Sequence, residues 1–480
     1  MDKIYHSLFE HAKEYGQQHL MRFWNDLDVV DQVKLSEQIN QLDLERVNSL
    51  FSQAKTHTDS DNTIESIKDD MIGSSECSPA VLDNWRDIGK EAIAGNEVAV
   101  ILLAGGQGTR LGSDEPKALY DVGLPSKKTL IELQGERIKK LEEMCKGKLS
   151  WYIMTSPATH GAMNMALDKL YNIGLEPEQV KLFSQGTLPC LSEEGDILLK
   201  DRSTIATNPD GNGGLFRALH ENDILNHMKN RGIKHVYVYC VDNILAKVAD
   251  PEFIGFCISR NADCGNKVVK RVEGESVGVT CLLNGKPGVI EYSELSSEIR
   301  EKRTASGELV FGAANICIHY FKVDFLTDVV ERERAMPIHL ARKKIPHISE
   351  CGNYVQPDSP NGVKLEKFIF DVFRFVDPEK FVVYKCNRIE EFAPLKNAEG
   401  EEGTPLACRE AVFKLHAGWL LKAGAELVSP DGSSSLEEIF KHAKVEVSPR
   451  VSYSGEGLSQ IVSGKLLSWP LHLTENKQYF

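Results

Sequence analysis

Apolar residues change their spacing along the chain, and each change predicts a different kind of element. Through residues 3–54 the spacing is helical. Leu20, Phe23, Trp24 and Leu27 fall at i, i+3, i+4 and i+7, and Leu35, Ile39 and Leu42 continue the pattern. Two or three packing helices are expected there, without chemistry of their own. Residues 56–70 are polar and acidic, with Asp59-Ser60-Asp61-Asn62, and read as a loop or loosely ordered link. Ser78-Pro79 opens another helix, through Trp85 and Ile88 to about Ala94. The pattern then switches. Val98-Ala99-Val100-Ile101-Leu102 is unbroken, apolar and rich in β-branched residues. Such a run predicts a strand buried on both faces, and so a parallel sheet.

Beyond it, helical and strand patterns alternate. Residues 129–146 predict a helix with Leu130, Leu133, Ile138 and Leu141 inward. Trp151-Tyr152-Ile153-Met154-Thr155 predicts a strand, as does Val180-Lys181-Leu182-Phe183, which runs out at Gln185-Gly186. Pro209-Asp210-Gly211-Asn212-Gly213-Gly214 is a glycine loop, followed by a helix expected over 215–230. Val236-Tyr237-Val238-Tyr239-Cys240-Val241 is a strand ending at Asp242-Asn243. This alternation predicts an α/β fold with a mixed, mostly parallel sheet. Residues 277–283 and 288–292 read as antiparallel strands added around it. Residues 398–403 are acidic and glycine-bearing, as linkers often are, and a helix over 408–423 follows. The expected division is a helical N-terminal region (1–95), a catalytic domain (96–396) and a small C-terminal α+β domain (397–480).

Composition narrows the function more than the fold. The chain has 480 residues, 41% hydrophobic and 26% charged, the profile of a globular protein of about three domains. A net charge of −14 argues against a general nucleic-acid or membrane-surface role, since both want a basic face. A small anionic substrate in a locally basic pocket stays compatible with it. Eleven cysteines, at scattered spacings and without Cys-x-x-Cys, point to reduced thiols. Met1-Asp2-Lys3-Ile4-Tyr5-His6 lacks the apolar core of a signal peptide, so a cytoplasmic location is expected. His6, His11 and His19 match no usual metal-ligand spacing and read as surface residues.

The chemistry gathers after the buried strand. Leu103-Ala104 leads into Gly105-Gly106-Gln107-Gly108-Thr109-Arg110-Leu111-Gly112, with four glycines in eight residues, then Pro116-Lys117. Glycines let backbone N–H groups approach a ligand, and Arg110 and Lys117 place cations beside them. A polyphosphate cradle is the reading, against a plain glycine turn with surface cations. It is not a P-loop, because no Lys directly follows Gly112. It is not the dinucleotide fingerprint, because Leu111 takes the third glycine position and Pro116 interrupts the way to a helix. Ligands of open α/β sheets bind beyond the carboxyl ends of the strands. Gln185, the second glycine loop and Asp242 lie at such ends. A carboxylate at Asp242 suits Mg²⁺ bridging a nucleotide phosphate, against a plain turn cap. Asp210 has the same ambiguity, and there the turn is preferred.

These stretches resemble a family. Residues 103–117, Tyr120-Asp121-Val122-Gly123-Leu124-Pro125-Ser126, the 209–214 loop, Cys240-Val241-Asp242-Asn243, Glu291-Tyr292-Ser293-Glu294 and Pro394-Leu395-Lys396-Asn397 are similar to the eukaryotic UDP-N-acetylglucosamine (UDP-N-acetylhexosamine) pyrophosphorylases. The likeness runs from Phe23-Trp24-Asn25 to Ser452-Tyr453-Ser454-Gly455-Glu456-Gly457, nearly the whole chain. It implies a Rossmann-like nucleotidyltransferase core. It also implies a uridylyltransferase joining UTP and N-acetylglucosamine 1-phosphate, with N-acetylgalactosamine 1-phosphate as a further candidate. The products are UDP-N-acetylglucosamine, for glycan and chitin-type synthesis, and pyrophosphate. Mg²⁺ is implied, with Mn²⁺ as substitute, and so is a monomer or weak homodimer with neither nucleic-acid nor membrane partners.

By the same resemblance, the backbone of Leu103, Ala104, Gly105 and Gly106 meets uracil and ribose, with Gln185 and Gly211 as further uridine contacts. Asn212, Glu291, Tyr292 and Asn315 hold the sugar, and Phe368 and Phe370 line its pocket. Arg110, Lys117 and Lys396 are the phosphate-binding cations, and Asp242 is the metal ligand.

The chain also departs from the family. Gly312-Ala313-Ala314-Asn315-Ile316 stands where Asn-Ala-Gly-Asn-Ile is usual, Phe216 where Tyr is common, and Ala118-Leu119 where Gly-Met is commoner. These leave the reaction class intact and bear on sugar selectivity. Two alternatives stay open: a UDP-glucose-type pyrophosphorylase, and a non-catalytic UDP-sugar-binding protein on the same scaffold.

Overall fold

In the computed structural model the described residues are 2–56, 63–292, 294–430, 432 and 435–476. The acidic Asp59-Ser60-Asp61-Asn62 stretch, and Ser293 of the 291–294 motif, lie outside them. The chain divides into two compact units. One comprises Met1–Asn62, Gln185–Ala218 and Glu331–Val372; the other comprises Thr63–Ser184, Leu219–Val330 and Phe373–Phe480.

The larger unit is built on one mixed sheet. Its main strands are β1 (Ile72–Ser74), β2 (Val98–Leu103), β3 (Ser150–Thr155), β4 (Val180–Ser184), β5 (His235–Cys240), β6 (Cys264–Lys270), β7 (Ala313–Lys322) and β8 (Phe381–Lys385). Their order is β1-β8-β6-β7-β5-β2-β3-β4. β7 runs antiparallel to β5 and β6, and the other neighbours on this path are parallel. All residues of β2 are buried, as expected of a parallel strand with both faces covered. Helix Leu130–Cys145 connects β2 to β3 and opens with a reciprocal cap between Thr129 and Glu132. The expected antiparallel additions form a hairpin of Val279–Leu283 with Lys286–Ile290. Asn284 and Gly285, at φ 51° and 76°, make the tight turn that matches strand twist. Residues 417–473 gather around a hydrophobic cluster of their own, including Leu420, Leu427, Ile439, Val445, Leu458 and Leu473.

The smaller unit packs helices Asp2–Glu14, Val29–Gln41 and Leu44–Thr56 with a three-stranded antiparallel sheet of His339–Lys343, Gly362–Glu366 and Leu191–Ser192. Leu35 and Ile39, one helical turn apart, meet Leu191, Val363 and Leu365 in its core. The side chain of Asp28 caps the second helix by accepting from the Asp31 N–H at 2.9 Å.

Two expected helices are corrected. Leu20, Phe23 and Trp24 are buried, but Leu20 and Trp24 sit in short 3₁₀ turns (Gln18–Met21 and Trp24–Asp26) and Phe23 between them, after the chain turns at Gly16, φ 74°. The helix expected over 215–230 is two, Leu215–Glu221 and Ile224–Asn230. They break at Asp223, whose φ of 56° a continuous helix cannot hold. Residues 63–70 are also more ordered than a link, since Ile64–Glu65 pairs with Leu283 and Leu282.

Candidate active site

The register of the sheet places the first cluster. Leu103 lies level with Cys240 on one side and Met154 on the other. The bonding continues one step beyond the strands. The Ala104 N–H donates to the Met154 carbonyl (2.8 Å), and the Val241 N–H donates to the Leu103 carbonyl (3.2 Å). The glycine loop and Asp242 therefore leave the sheet side by side.

The loop is partly self-closed. The Gly108 N–H donates to the Glu115 carbonyl (3.1 Å), and the Lys117 N–H to the Gly106 carbonyl (3.2 Å). A Cβ on Gly108 would stand 2.6 Å from the Glu115 oxygen, so close packing requires that glycine. Gly112, at φ 68°, turns the chain. Space around Gly106 is open. The Ser156 hydroxyl donates to the Gly105 carbonyl at 2.9 Å and fixes the start of the loop.

A segment distant in sequence is stitched to the same place. The Leu395 N–H donates to the Asp242 carbonyl at 2.8 Å, and Lys117 Nζ donates to the Leu395 carbonyl at 3.0 Å. The Ala398 N–H donates to the Arg110 carbonyl at 3.0 Å. Asn243, 2% exposed, locks the arrangement. Its Nδ2 donates to the Glu391 carbonyl (2.7 Å), and its Oδ1 accepts from the Ala393 N–H (3.0 Å) and the Leu245 N–H (3.3 Å). Beneath it Lys267, fully buried, bridges Asp250 and Glu391 at 2.5 Å each. The fold thus gathers Arg110, Lys117, Asp242 and the segment carrying Lys396. Arg110 and Lys396 are exposed, whereas Lys117 and Asp242 are half-buried.

Electrostatics agree with that grouping. Burial pushes the Cys408 thiol up to about 12, with Asp242 adding to the rise and Lys117 opposing it, so both charges lie near this side chain. Among the described residues no hydrogen bond or ion pair engages the Asp242 carboxylate, and no three acidic, His or Cys side chains group as a metal cage. One free carboxylate fits Mg²⁺, which commonly takes one or two carboxylates, waters and substrate phosphates.

Three of the expected sugar contacts come next, Asn315 on β7 and Glu291 and Tyr292 just past the hairpin strand Lys286–Ile290. Asn315 Oδ1 accepts from the Cys317 N–H at 3.1 Å. The Asn315 N–H donates to the Gly278 carbonyl at 2.9 Å, and the Glu291 carboxylate lies over Gly278, where a Cβ would meet it at 3.1 Å. Glu291 and Asn315 therefore border one glycine. Tyr292 is stacked by Arg300, whose guanidinium carbon lies 4.6 Å from the ring centre.

The remaining expected residues lie in the smaller unit. Gln185, 6% exposed, directs Nε2 toward Asp210 Oδ1 and the Gly211 carbonyl, both at 3.4 Å. Asn212 Oδ1 accepts from the Ile369 N–H at 2.9 Å, and the Gly213 N–H donates to the Lys367 carbonyl at 2.9 Å. Gly211, at φ 88°, would drive a Cβ to 2.3 Å from the Lys367 oxygen. The second glycine loop is thus shaped by its packing against residues 367–369. The Phe368 and Phe370 rings stand 5.1 Å apart, with His339 4.3 Å from Phe368.

Asp210, read from sequence as a turn residue, is instead a buried carboxylate at 3% exposure. Burial pushes it up to about 7, against the opposing pull of Lys367 and Arg217. Lys367, itself buried and paired with Glu333, was not singled out in the sequence, nor was Asn243 as a clamp. Their signal lies in contacts between distant residues, apart from the polar ends of the two loops.

The comparisons with known proteins agree with one another. The family model described as UTP--glucose-1-phosphate uridylyltransferase matches residues 44–449. A UDP-N-acetylglucosamine pyrophosphorylase of Saccharomyces cerevisiae is 44% identical, over 93% of this chain and 95% of its own. A UDP-N-acetylhexosamine pyrophosphorylase-like protein 1 of Xenopus tropicalis is 43% identical, over 95% and 94%. The solved uridine diphosphate N-acetylglucosamine pyrophosphorylase of Trypanosoma brucei superimposes with a TM-score of 0.81 at 29% identity, covering 95% of this chain and 94% of its own. With matches of this length and identity, carried on a nucleotidyltransferase-type α/β core, the chain belongs to the uridylyltransferase family of that model and, within it, to the UDP-N-acetylglucosamine pyrophosphorylases.

Proposed function

We propose that the chain joins UTP to N-acetylglucosamine 1-phosphate, forming UDP-N-acetylglucosamine and releasing pyrophosphate. What carries the reading is the stitched cluster at the ends of β2 and β5. It holds Arg110, Lys117, Asp242 and the Lys396 segment together by backbone and side-chain hydrogen bonds. Leu103, Ala104, Gly105, Gly106, Gln185 and Gly211 are proposed for the uridine. Asn212, Glu291, Tyr292, Asn315, Phe368 and Phe370 are proposed for the sugar.

The attacking atom is an oxygen of the sugar phosphate, already anionic near neutral pH. The residues therefore need no general base. Their work is to hold two anions in line and to neutralise charge on the departing pyrophosphate. Arg110, Lys117 and Lys396 are suited to this by charge and placement. Asp242 would hold Mg²⁺, which, when bound, neutralises phosphate charge. Tying Lys117 to the Leu395 carbonyl fixes the ammonium while leaving it other N–H donors for a phosphate. A cytoplasmic, monomeric or weakly dimeric enzyme, with boundaries near 95/96 and 396/397, belongs to the same proposal.

The test is pyrophosphate release from UTP with N-acetylglucosamine, N-acetylgalactosamine and glucose 1-phosphates, with and without Mg²⁺. Turnover fastest with N-acetylglucosamine 1-phosphate and dependent on Mg²⁺ is expected. Preference for glucose 1-phosphate would make this a UDP-glucose-type enzyme, and no release with any of them would leave a UDP-sugar-binding protein.

A further inference from the structure

Two thiols meet at the edge of the cluster. Cys240 ends β5, and its Sγ lies 3.1 Å from Sγ of Cys317 on β7. The meeting depends on a bulge. β7 pairs Ile318 with Lys267 but Asn315 with Val268, leaving Ile316 and Cys317 as extra residues. Cys317 takes φ 55°, a left-handed conformation costly for a side chain other than glycine, asparagine or aspartate. Both cysteines are half-buried. Each is tied to a proposed site residue. Cys240 precedes Asp242 by two positions on the strand end, and the Cys317 N–H donates to the Asn315 side chain at 3.1 Å.

We propose that Cys240 and Cys317 are a covalent modification site, an oxidisable dithiol whose disulfide slows turnover. The oxidant is a small peroxide. Hydrogen peroxide converts one thiol to the sulfenic acid and releases water. The second sulfur attacks the sulfenic sulfur, forming the S–S bond and releasing a second water. Both sulfurs are oxidised, both peroxide oxygens end as water, and the thiol hydrogens leave with them. A reducing thiol reverses the bond by exchange. Disulfides of proteins in reducing compartments are usually transient and regulatory, which suits a pair standing ready but unbonded.

The bond acts on the site through distance. The sulfurs must close from 3.1 Å to about 2.05 Å, which draws the end of β5 toward the bulge of β7. Asp242 hangs from the first and Asn315 from the second. A displacement of order 1 Å beside reacting groups can cost about 100-fold in rate, so a fall of about tenfold or more is expected. The effect on turnover rests on the function proposed above, whereas formation of the bond does not.

The experiment treats the reduced full chain with hydrogen peroxide and reads three things: intact mass, the cross-linked peptide after proteolysis without reductant, and turnover. The expected result is a loss of about 2 Da, a peptide joining Cys240 to Cys317, and turnover lowered about tenfold and restored by dithiothreitol. Cys317→Ser should keep basal turnover and resist the oxidant, and Cys240→Ser should fail to form the cross-link. Absence of the cross-link, or its mapping to other cysteines, overturns the proposal. So does a formed bond with unchanged turnover, or a Cys317→Ser protein inactivated as fast as the parent. The mass and peptide readings need no activity, so they report on the bond even if the catalytic reading fails.

Discussion

The backbone N–H of Leu395 donates to the carbonyl oxygen of Asp242 at 2.8 Å, across a separation of more than 150 residues. This bond puts the proposed metal carboxylate and the neighbour of the proposed phosphate lysine on one small framework. Neither side chain makes the bond, so variants of either leave the framework in place. That allows placement and chemistry to be tested apart.

Asn243 tests placement. Its amide makes three hydrogen bonds from a buried position, two to the segment that leads to Lys396 and one to the Leu245 N–H. Asn243→Ala should lower stability by about 1–3 kcal/mol. It should also lower kcat and raise the Mg²⁺ concentration for half-maximal rate, while the KM for UTP changes little. Asn243→Asp keeps the acceptor and should recover part of kcat. A variant that melts earlier but keeps the parent's kcat and Mg²⁺ response would make Asn243 a packing residue alone.

Lys396 tests chemistry. The side chain is exposed, and its backbone N–H is held by the Gly403 carbonyl at 2.7 Å. Lys396→Ala should fold normally, because deleting a solvated Lys changes stability by no more than about 0.5 kcal/mol. Turnover should nevertheless fall in kcat as much as in kcat/KM if the ammonium meets phosphate charge as it develops. Lys396→Arg should restore only part, since a planar fork does not reproduce a point charge. Unchanged kcat and KM in the alanine variant would leave this lysine outside catalysis.

The sugar side is tested at Glu291, whose carboxylate shares Gly278 with Asn315. Glu291→Ala should raise the KM for the sugar phosphate by a factor corresponding to about 1–3 kcal/mol, and leave that for UTP within a fewfold. Equal effects on both substrates, or none, would remove Glu291 from the sugar pocket.

The buried carboxylate of Asp210 makes a prediction in pH. Its folded value is pushed up to about 7 by burial, above the 3.8 of an ordinary aspartate. Between these values the folded state holds a proton that the unfolded state has released. Stability contributed by this group therefore falls as pH rises from about 4 to about 7 and is flat above. Asp210→Asn, which cannot ionise, should lose that slope and gain on the parent at pH 8 by an amount of order a few kcal/mol. Denaturant midpoints measured from pH 5 to 8 decide it, and parallel profiles for the two proteins would refute the assignment.

Much of this was legible in the sequence where the signal was local. The run 98–102 announced a buried parallel strand because both faces were apolar. The glycines after it marked a loop, and Asp242 marked a strand end. What periodicity missed depends on conformation or distance. The 18–26 stretch has helical spacing but folds into 3₁₀ turns, and Asp223 breaks a helix by its φ alone. The smaller unit is assembled from three separate stretches, and no local pattern encodes that. Gly211 and Gly213 read as members of a second glycine loop, yet their backbone packs on residues 367 and 368 so closely that side chains are excluded. Asp210 looked like a turn cap because its burial comes from segments far away in the chain.

In the proposed reaction the uridylyl group of UTP passes to the phosphate of N-acetylglucosamine 1-phosphate. The most direct measurement follows phosphorus. UTP labelled at the α-phosphate, and separately at the γ-phosphate, is incubated with the protein, Mg²⁺ and N-acetylglucosamine 1-phosphate, and the products are separated. The α-label should appear in UDP-N-acetylglucosamine and the γ-label in pyrophosphate, at equal rates and only when the sugar phosphate is present. Label appearing in inorganic phosphate, or pyrophosphate released equally well without the sugar phosphate, would contradict it.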